Sequence, residues 1–530
     1  MLASLLSAAQ TIGGLWEEPL TLVRETSASS HGWGSAVAVI EDQDGDGLDE
    51  IVVGDPLFSE TNALRRGRIQ MFSGADGSLL FEYAGRKESL FGWALSRAPD
   101  LDHDGFDDLL VGAPGFDGKQ GRAAVLSPRS GQELLALSDP LLGTSSGSGF
   151  GAAVCVTSSQ TEDFFVIGAP HADYCGADGG SHSAYDRNGA FLTGTYGCSA
   201  GAELGSALAP LPGSAPNTAG FVTRQLRFGS LSAQVLIYHS LYNYRYILMG
   251  TDLGSHLATG ADWNGDGYPD IAIGSAQLNR VAVYDGWTSA LLETYEDPSA
   301  PGFPSAVALA EDMDGDGAPE LAVGVTGDPA LGQRGEIRLF APGAGHFRTI
   351  VLAAPHSGGA LAGGPRLNAS GLPSLVAGAN APGPPLSSAD GSVSVLSFLP
   401  ILTADASTVS AAGGGSVHFN FHFGKDYARG RYRLLVSATG TGPSLYAGIL
   451  IPLTFDTHLD ATRRGIYPGW VQRPEGVLDL AGRADCRMEV QPNGIPQQML
   501  GRSFQFAVAC AAANTSLRAV SVARTVEIIL

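Results

Sequence analysis

The sequence predicts an all-β chain, a seven-bladed β-propeller followed by a C-terminal β-sandwich. Three observations predict it. A unit of about four strand-like runs recurs at a spacing of about 50 to 60 residues. Apolar runs are four to eight residues long and end in Gly, Pro, Asp or Ser, which is the punctuation of strands and turns. Gly makes up 72 of 530 residues, about twice the usual share, with no strict third-residue period. Many tight turns between short strands account for that excess.

Residues 1–17, opening "MLASLLSAAQ", read as the end of an export signal or as a disordered tail. Residues 18–399 carry the repeat. Each unit opens on Gly and small residues: "WGSAVAVI" at 33, "FGWALSRA" at 91, "FGAAVCVT" at 150, "LGSALAPL" at 204, "LGSHLATG" at 253, "GFPSAVALA" at 302 and "GALAGG" at 359. A second strand ends in Gly, as in "IVVGDP", "LLVGAP", "FVIGAP" and "LAVGVT". A third follows, such as "GRIQMFSG" or "RVAVYDG", and a fourth in some units, such as "SLLFEYAG". Units of this kind bury their faces only against one another, so they must form a closed ring. The seventh unit lacks an outer strand. "EPLTLVRE" at 18–25 is expected to supply it and lock the ring. Trp33 and Trp93, at two openings, are expected to pack.

The stretch "FGWALS … DLDHDGFDDLLVGAP" resembles the FG-GAP repeat of integrin α-subunit propellers and related bacterial proteins. The resemblance covers roughly residues 29–399 and is strongest in units one, two, five and six. It implies a non-catalytic adhesion role.

Four first hairpins share one pattern: "DQDGDGLDE" (42–50), "DLDHDGFDD" (100–108), "DWNGDGYPD" (262–270) and "DMDGDGAPE" (312–320). Side-chain oxygens fall at positions 1, 3, 5 and 9: Asp42, Asp44, Asp46 and Glu50; Asp100, Asp102, Asp104 and Asp108; Asp262, Asn264, Asp266 and Asp270; Asp312, Asp314, Asp316 and Glu320. Position 7, occupied by Leu48, Phe106, Tyr268 or Ala318, would lend its backbone carbonyl. Ca²⁺ takes about six to eight hard oxygen ligands, and Gly at position 6 permits the wrapping turn. About four Ca²⁺ sites are therefore expected, in units one, two, five and six. The loop is not an EF-hand, because position 12 is Val53, Val111, Ile273 or Val323 inside an apolar strand. In the first loop, Asp49 and Glu41 are expected to face water. "TSSQTED" (157–163) and "LNASGLPS" (367–374) lack the early acids and are expected to hold no metal.

Residues 400–530 lose the repeat. Six or seven short strands, among them "GSVHFNFHF" and "GRSFQFAVACAA", fit a β-sandwich. Phe419, Phe421 and Phe423 alternate with His418, Asn420 and His422, so one face is core. The two His lie about 13 Å apart on a strand, too far for one ion.

Two disulfides are expected, Cys175–Cys198 across an insertion and Cys486–Cys510 across two successive strands paired antiparallel. Both fit an oxidising, extracellular or cell-surface location. The formal charge of −22 argues against a nucleic-acid partner, which needs basic surface. No apolar run is long enough for a transmembrane helix. The partner expected is an extracellular protein or glycan. The competing readings are a secreted carbohydrate-active hydrolase or lyase using the axial face, and a structural surface-layer component.

Overall fold

A computed structural model describes residues 14–529 except 24–31, 60–64, 141–146, 213–218, 227–231, 252, 299, 301, 314–317, 328–333, 344, 353–356, 365–366, 368–372, 380–390, 401, 424–426, 441–443, 447–448, 452, 481, 495–499, 512–517 and 522–523. Two compact units divide the chain, one containing 18–313 and 318–397, the other 398–530.

The first unit holds seven four-stranded antiparallel sheets. Blade 1 is Ala36–Ile40, Glu50–Asp55, Arg68–Phe72 and Leu79–Ala84. Blade 2 is Leu95–Ala98, Asp108–Ala113, Arg122–Ser127 and Gln132–Leu137. Blade 3 is Ala153–Ser158, Asp163–Ala169, Ser181–Asp186 and Phe191–Tyr196. Blade 4 is Leu208–Pro212, Ala219–Leu226, Ser232–Ser240 and Asn243–Thr251. Blade 5 is His256–Thr259, Ile271–Ser275, Arg280–Tyr284 and Leu291–Glu296. Blade 6 is Ala306–Ala310, Glu320–Val325, Glu336–Ala341 and Gly345–Val351. Blade 7 is Ser357–Gly364, Ser374–Ala379 and Ser392–Pro400, with Gly14–Val23 as its outer strand.

The first strands of successive blades lie side by side, and that of blade 7 packs beside that of blade 1, so the ring closes. The N-terminal strand therefore completes the last blade. Leu22 joins one core cluster with Trp33, Ile51 and Val53 of blade 1 and Val376, Val393 and Val395 of blade 7. Second strands are sandwiched on both faces, and every residue of Glu50–Asp55 and Asp108–Ala113 is buried. This is why they read as continuous apolar runs rather than as alternation.

Two glycines recur in most units and explain the repeat physically; Arg224 takes the second-strand place in blade 4 and Pro304 the opening place in blade 6. The amide of Gly92, at the opening of blade 2, donates to the carbonyl of Gly112 in the same blade at 3.1 Å. Its own carbonyl oxygen lies against Gly54 of blade 1, where a Cβ would stand only 2.2 Å away. The same clash distance is 2.0 Å for Gly112 against Gly151, 2.0 Å for Gly168 against Gly205, 1.9 Å for Gly324 against Gly358 and 2.1 Å for Gly378 against Gly34. Any side chain there would separate neighbouring blades. The aromatic residue before the opening Gly is core: Trp33, Phe91 and Phe150 are 2%, 4% and 0% exposed. Trp93 follows its Gly instead and is 45% exposed, so the packing expected of it fails.

The second unit is a sandwich. One sheet runs Leu402–Ala404, Gly415–His422, Arg483–Val490, Val471–Gln472. The other runs Thr408–Ser410, Arg524–Ile529, Ser503–Ala511, Arg431–Ser437, Glu475–Val477, with Arg518–Val520 also on Ser503–Ala511. Phe419, Phe421 and Phe423 are at most 1% exposed and form its core with Phe506, Val508 and Met488. A helix, Thr457–Arg463, is capped by Asp456, whose carboxylate accepts the Leu459 amide at 2.7 Å.

The cysteines divide. Cys175 and Cys198 form a disulfide. Cys486 and Cys510 do not; both are buried free thiols. Their strands are not a hairpin: Cys486 pairs with Phe419 in one sheet, and Cys510 pairs with Tyr432 in the other. Burial pushes both thiols up to about 12.

Candidate metal centres

All four acidic hairpins join the first strand of a blade to its second, so they project from one face of the ring. In the first, the side chains are drawn inward by backbone amides. Asp42 accepts Gly45 N–H at 2.6 Å and Gly47 N–H at 2.8 Å. Asp44 accepts Asp46 N–H at 3.0 Å, and Asp46 accepts Leu48 N–H at 2.8 Å. Glu50 reaches back from the strand to accept Gln43 N–H at 2.8 Å through Oε2. The second hairpin repeats this: Asp100 accepts Gly105 N–H at 2.9 Å, Asp104 accepts Phe106 N–H at 2.9 Å, and Asp108 accepts Leu101 N–H at 2.7 Å. In the third, Asp262 accepts Gly267 N–H at 2.7 Å, Asp266 accepts Tyr268 N–H at 2.9 Å, and Asp270 accepts Trp263 N–H at 2.7 Å. In the fourth, Glu320 accepts Met313 N–H at 2.6 Å. Asp314 and Asp316 lie outside the described residues.

The position-9 acid thus holds the position-2 amide in every copy and leaves its second oxygen for another task. In the first hairpin that oxygen, Glu50 Oε1, is buried without a hydrogen-bond partner, and the residue is 0% exposed. Such an orphan carries a desolvation penalty that a cation would offset. Among the described residues, two triads bring carboxylate oxygens within 4.8 Å of one another: Asp42, Asp44 and Glu50, and Asp100, Asp102 and Asp108. Three acids so close suit a hard divalent cation. Burial first, then Asp44 and Asp42, pushes the Glu50 carboxyl up to about 8. Burial, with Asp102, Asp100 and Asp104, raises Asp108 to about 7. Burial raises Asp270 to about 6, against the hydrogen bonds it accepts.

The third hairpin is built differently. Asn264 replaces the position-3 acid and donates to Asp285 at 3.0 Å, while Asp270 Oδ1 accepts the Gly286 amide at 2.9 Å. Burial opposes ionisation of Asp285, but hydrogen bonds from Thr288, Trp287 and Asn264 hold its carboxyl below the usual range.

Asp285 and its counterpart Ser73, whose hydroxyl lies 3.4 Å from Asp46, were not legible as loop partners. Both follow a third strand and precede a glycine that touches the hairpin. A Cβ on Gly74 would stand 2.1 Å from Asp49 O, and one on Gly286 1.9 Å from Pro269 O. The endings "FSG" and "YDG" were the available signal.

Asp49 is 3% exposed, not solvated as its charge suggested. Glu41 does face solvent and pairs with Arg97 across to blade 2 at 2.5 Å. Arginines from neighbouring blades tie the hairpins down. Arg129 donates to Gln43 O at 3.1 Å and lies 4.1 Å over the Phe106 ring. Arg187 donates to Asp100 O at 2.9 Å.

Parts of the chain are similar to known proteins. The FG-GAP repeat family matches residues 91–126, and the FG-GAP-like repeat family matches residues 262–323. Human integrin alpha-8 is 36% identical over 115 residues, covering 19% of this chain and 10% of that protein. Xenopus laevis integrin alpha-4 is 30% identical over 141 residues, covering 25% and 13%. Human integrin alpha-IIb is 34% identical over 135 residues, covering 23% and 12%. The chain thus spans only about a tenth of the length of these curated relatives. Among solved structures, the crystal structure of BBS1N in complex with ARL6DN, soaked with lead, aligns at 12% identity with a TM-score of 0.49, over 73% of this chain and 98% of that one. That likeness carries no argument. The chain thus carries FG-GAP-type repeats at these residues and resembles integrin α subunits within its propeller.

Proposed function

We propose that this is a non-catalytic, calcium-stabilised extracellular protein that binds another protein or a glycan, an adhesion-type role. In this reading each of the four hairpins takes one Ca²⁺. The ligands are the acids at positions 1, 3, 5 and 9 (Asn264 at one position 3) and the carbonyl of Leu48, Phe106, Tyr268 or Ala318. The observation that carries it is the orphaned, buried Glu50 oxygen beside Asp42 and Asp44. The ion supplies positive charge where three acids converge. The chain's own residues position the ligands through the backbone-amide hydrogen bonds described above.

Calcium here holds hairpins rather than performing chemistry. Each site adds about 2.7 kcal/mol to the folded state at a hundredfold excess over Kd. The Cys175–Cys198 disulfide supports a secreted or surface location. The integrin similarities support adhesion as the class of activity. The test is thermal melting in calcium and in EDTA, with an array of extracellular proteins and glycans probed under both conditions. A higher melting temperature and array binding in calcium only are expected. An unchanged melt with no array binding would contradict the proposal.

A further inference from the structure

The hairpin of blade 3 is cut short. Four residues, 159–162, join Ala153–Ser158 to Asp163–Ala169, against nine in blades 1 and 2, at 41–49 and 99–107. Over those longer hairpins the next blade closes with the turn after its third strand. Arg129 of blade 2 donates to Gln43 O, and Arg187 of blade 3 donates to Asp100 O. The matching turn of blade 4 is Leu241 and Tyr242, with no arginine in it. Between that turn and the short hairpin lies a cleft of about 680 Å³, within the usual range for small-ligand sites.

The lining selects among ligands. Glu162, Asp163 and Asp186 bring carboxylates, Asn188 an amide, and Leu241 and Tyr242 apolar surface. Tyr242 is 64% exposed. Arg187 also lines the cleft, with its guanidinium engaged by Asp100 O at 2.9 Å. Three acids beside one engaged cation disfavour phosphate, sulfate and uronate groups. Among the described residues these acids belong to no group of three converging within 4.8 Å, so they do not make a metal site. Asp163 accepts the Ser158 hydroxyl at 2.6 Å, and Asp186 accepts the amides of Asn188 and Ala190 at 2.9 and 2.8 Å. Their charge is thus partly offset within the chain, which weighs against a Lys or Arg side chain as occupant. Dispersed acceptors and donors around an aromatic ring match a molecule that alternates hydroxyl and C–H surface.

We propose that this cleft between blades 3 and 4 binds a neutral glycan. Sugar hydroxyls would donate to the carboxylates and accept from Asn188, and the C–H face of one ring would stack on Tyr242. The inference rests on the binding role proposed above and narrows it to one ligand class and one place.

The test is an array of neutral oligosaccharides (glucans, mannans, xylans and galactans) probed with the full chain in calcium, beside sialylated and sulfated glycans and an oligolysine peptide. The variants are Tyr242→Ala and Glu162→Ala, both exposed side chains. Trp93→Ala, at the end of a first strand away from its hairpin, is the control. At least one neutral oligosaccharide is expected to bind, and calorimetric titration should show each cleft variant binding it at least about tenfold more weakly. The calcium-dependent melt should be unchanged, and Trp93→Ala should bind as wild type does. No bound neutral oligosaccharide, equal binding of the sialylated or sulfated glycans, or glycan binding that Tyr242→Ala leaves intact would overturn the inference. So would a preference for oligolysine that the same variants abolish. Binding to proteins alone would also overturn it, while leaving the broader adhesion reading in place. An identical melt in calcium and EDTA, beside glycan binding lost in Tyr242→Ala, would do the reverse.

Discussion

Replacing Glu50 by Gln should stabilise the protein without calcium and lose most of that advantage with it. The side chain is 0% exposed, one oxygen holds Gln43 N–H at 2.8 Å, and the other has no hydrogen-bond partner. Its carboxyl is raised from 4.5 to about 8 by burial, Asp44 and Asp42. The folded, metal-free protein therefore keeps a proton that the unfolded chain releases, and stability falls as pH rises from about 4.5 to about 8. At pH 7 that cost is about 3 kcal/mol, at about 1.4 kcal/mol per pH unit above the unfolded value. Gln keeps an acceptor for Gln43 and carries no charge. In EDTA at pH 7 the variant should melt above wild type, by roughly 3–6 °C for a domain of this size. The difference should shrink to nothing below about pH 4.5, where Glu50 is protonated in both states. Calcium should then raise the variant's melt less than wild type's, by about the 2.7 kcal/mol that one site contributes at a hundredfold excess. The assay is differential scanning calorimetry from pH 4 to 8 in each condition. A variant that melts below wild type in EDTA, with no pH dependence in the difference, would refute the reasoning. Glu50 would then be an ordinary buried acceptor.

Gly112→Ala should destabilise the propeller by about 2 kcal/mol or more, since its Cβ would lie 2.0 Å from the Gly151 carbonyl and force blades 2 and 3 apart; chemical denaturation measures it. His182 is 2% exposed between the rings of Phe221 and Tyr238, and burial lowers it to about 3. Its contribution is complete above about pH 6.5 and fades as pH falls toward 3, by about 2 kcal/mol at pH 5. His182→Phe should flatten that part of the acid limb of a denaturation series. Reducing Cys175–Cys198, which closes a separation of 23 residues, should cost roughly 3 kcal/mol. Cys486→Ala should leave the mobility on a non-reducing gel unchanged, because that thiol is free.

The ring was legible because its physical requirements are written in residue types. Only glycine permits the approach of Gly54 to Gly92, and only an apolar run survives burial on both faces, so both recur in every strong unit. The hairpins were legible for a similar reason: oxygens must alternate along a chain that wraps one point. What was hidden depends on contacts distant in sequence. Asp49 is buried although it closes an acid-rich turn whose Asp44 and Asp46 are exposed, and Gly74, just after the third strand, lies against its carbonyl. Cys486 and Cys510 lie on strands close in sequence, which suggested a hairpin, but the chain crosses between sheets there. Asp285 carries no local mark beyond the glycine after it. Its proximity to Asn264 comes from the fold of the whole blade.

The central claim is that the acidic hairpins hold calcium, and equilibrium dialysis with ⁴⁵Ca²⁺ on the metal-stripped protein tests it most directly. About four ions per chain should bind, falling by one in Asp44→Ala and by one more in Asp44→Ala/Asp102→Ala. Stoichiometry near zero at millimolar calcium, or a count unchanged by either variant, would contradict it.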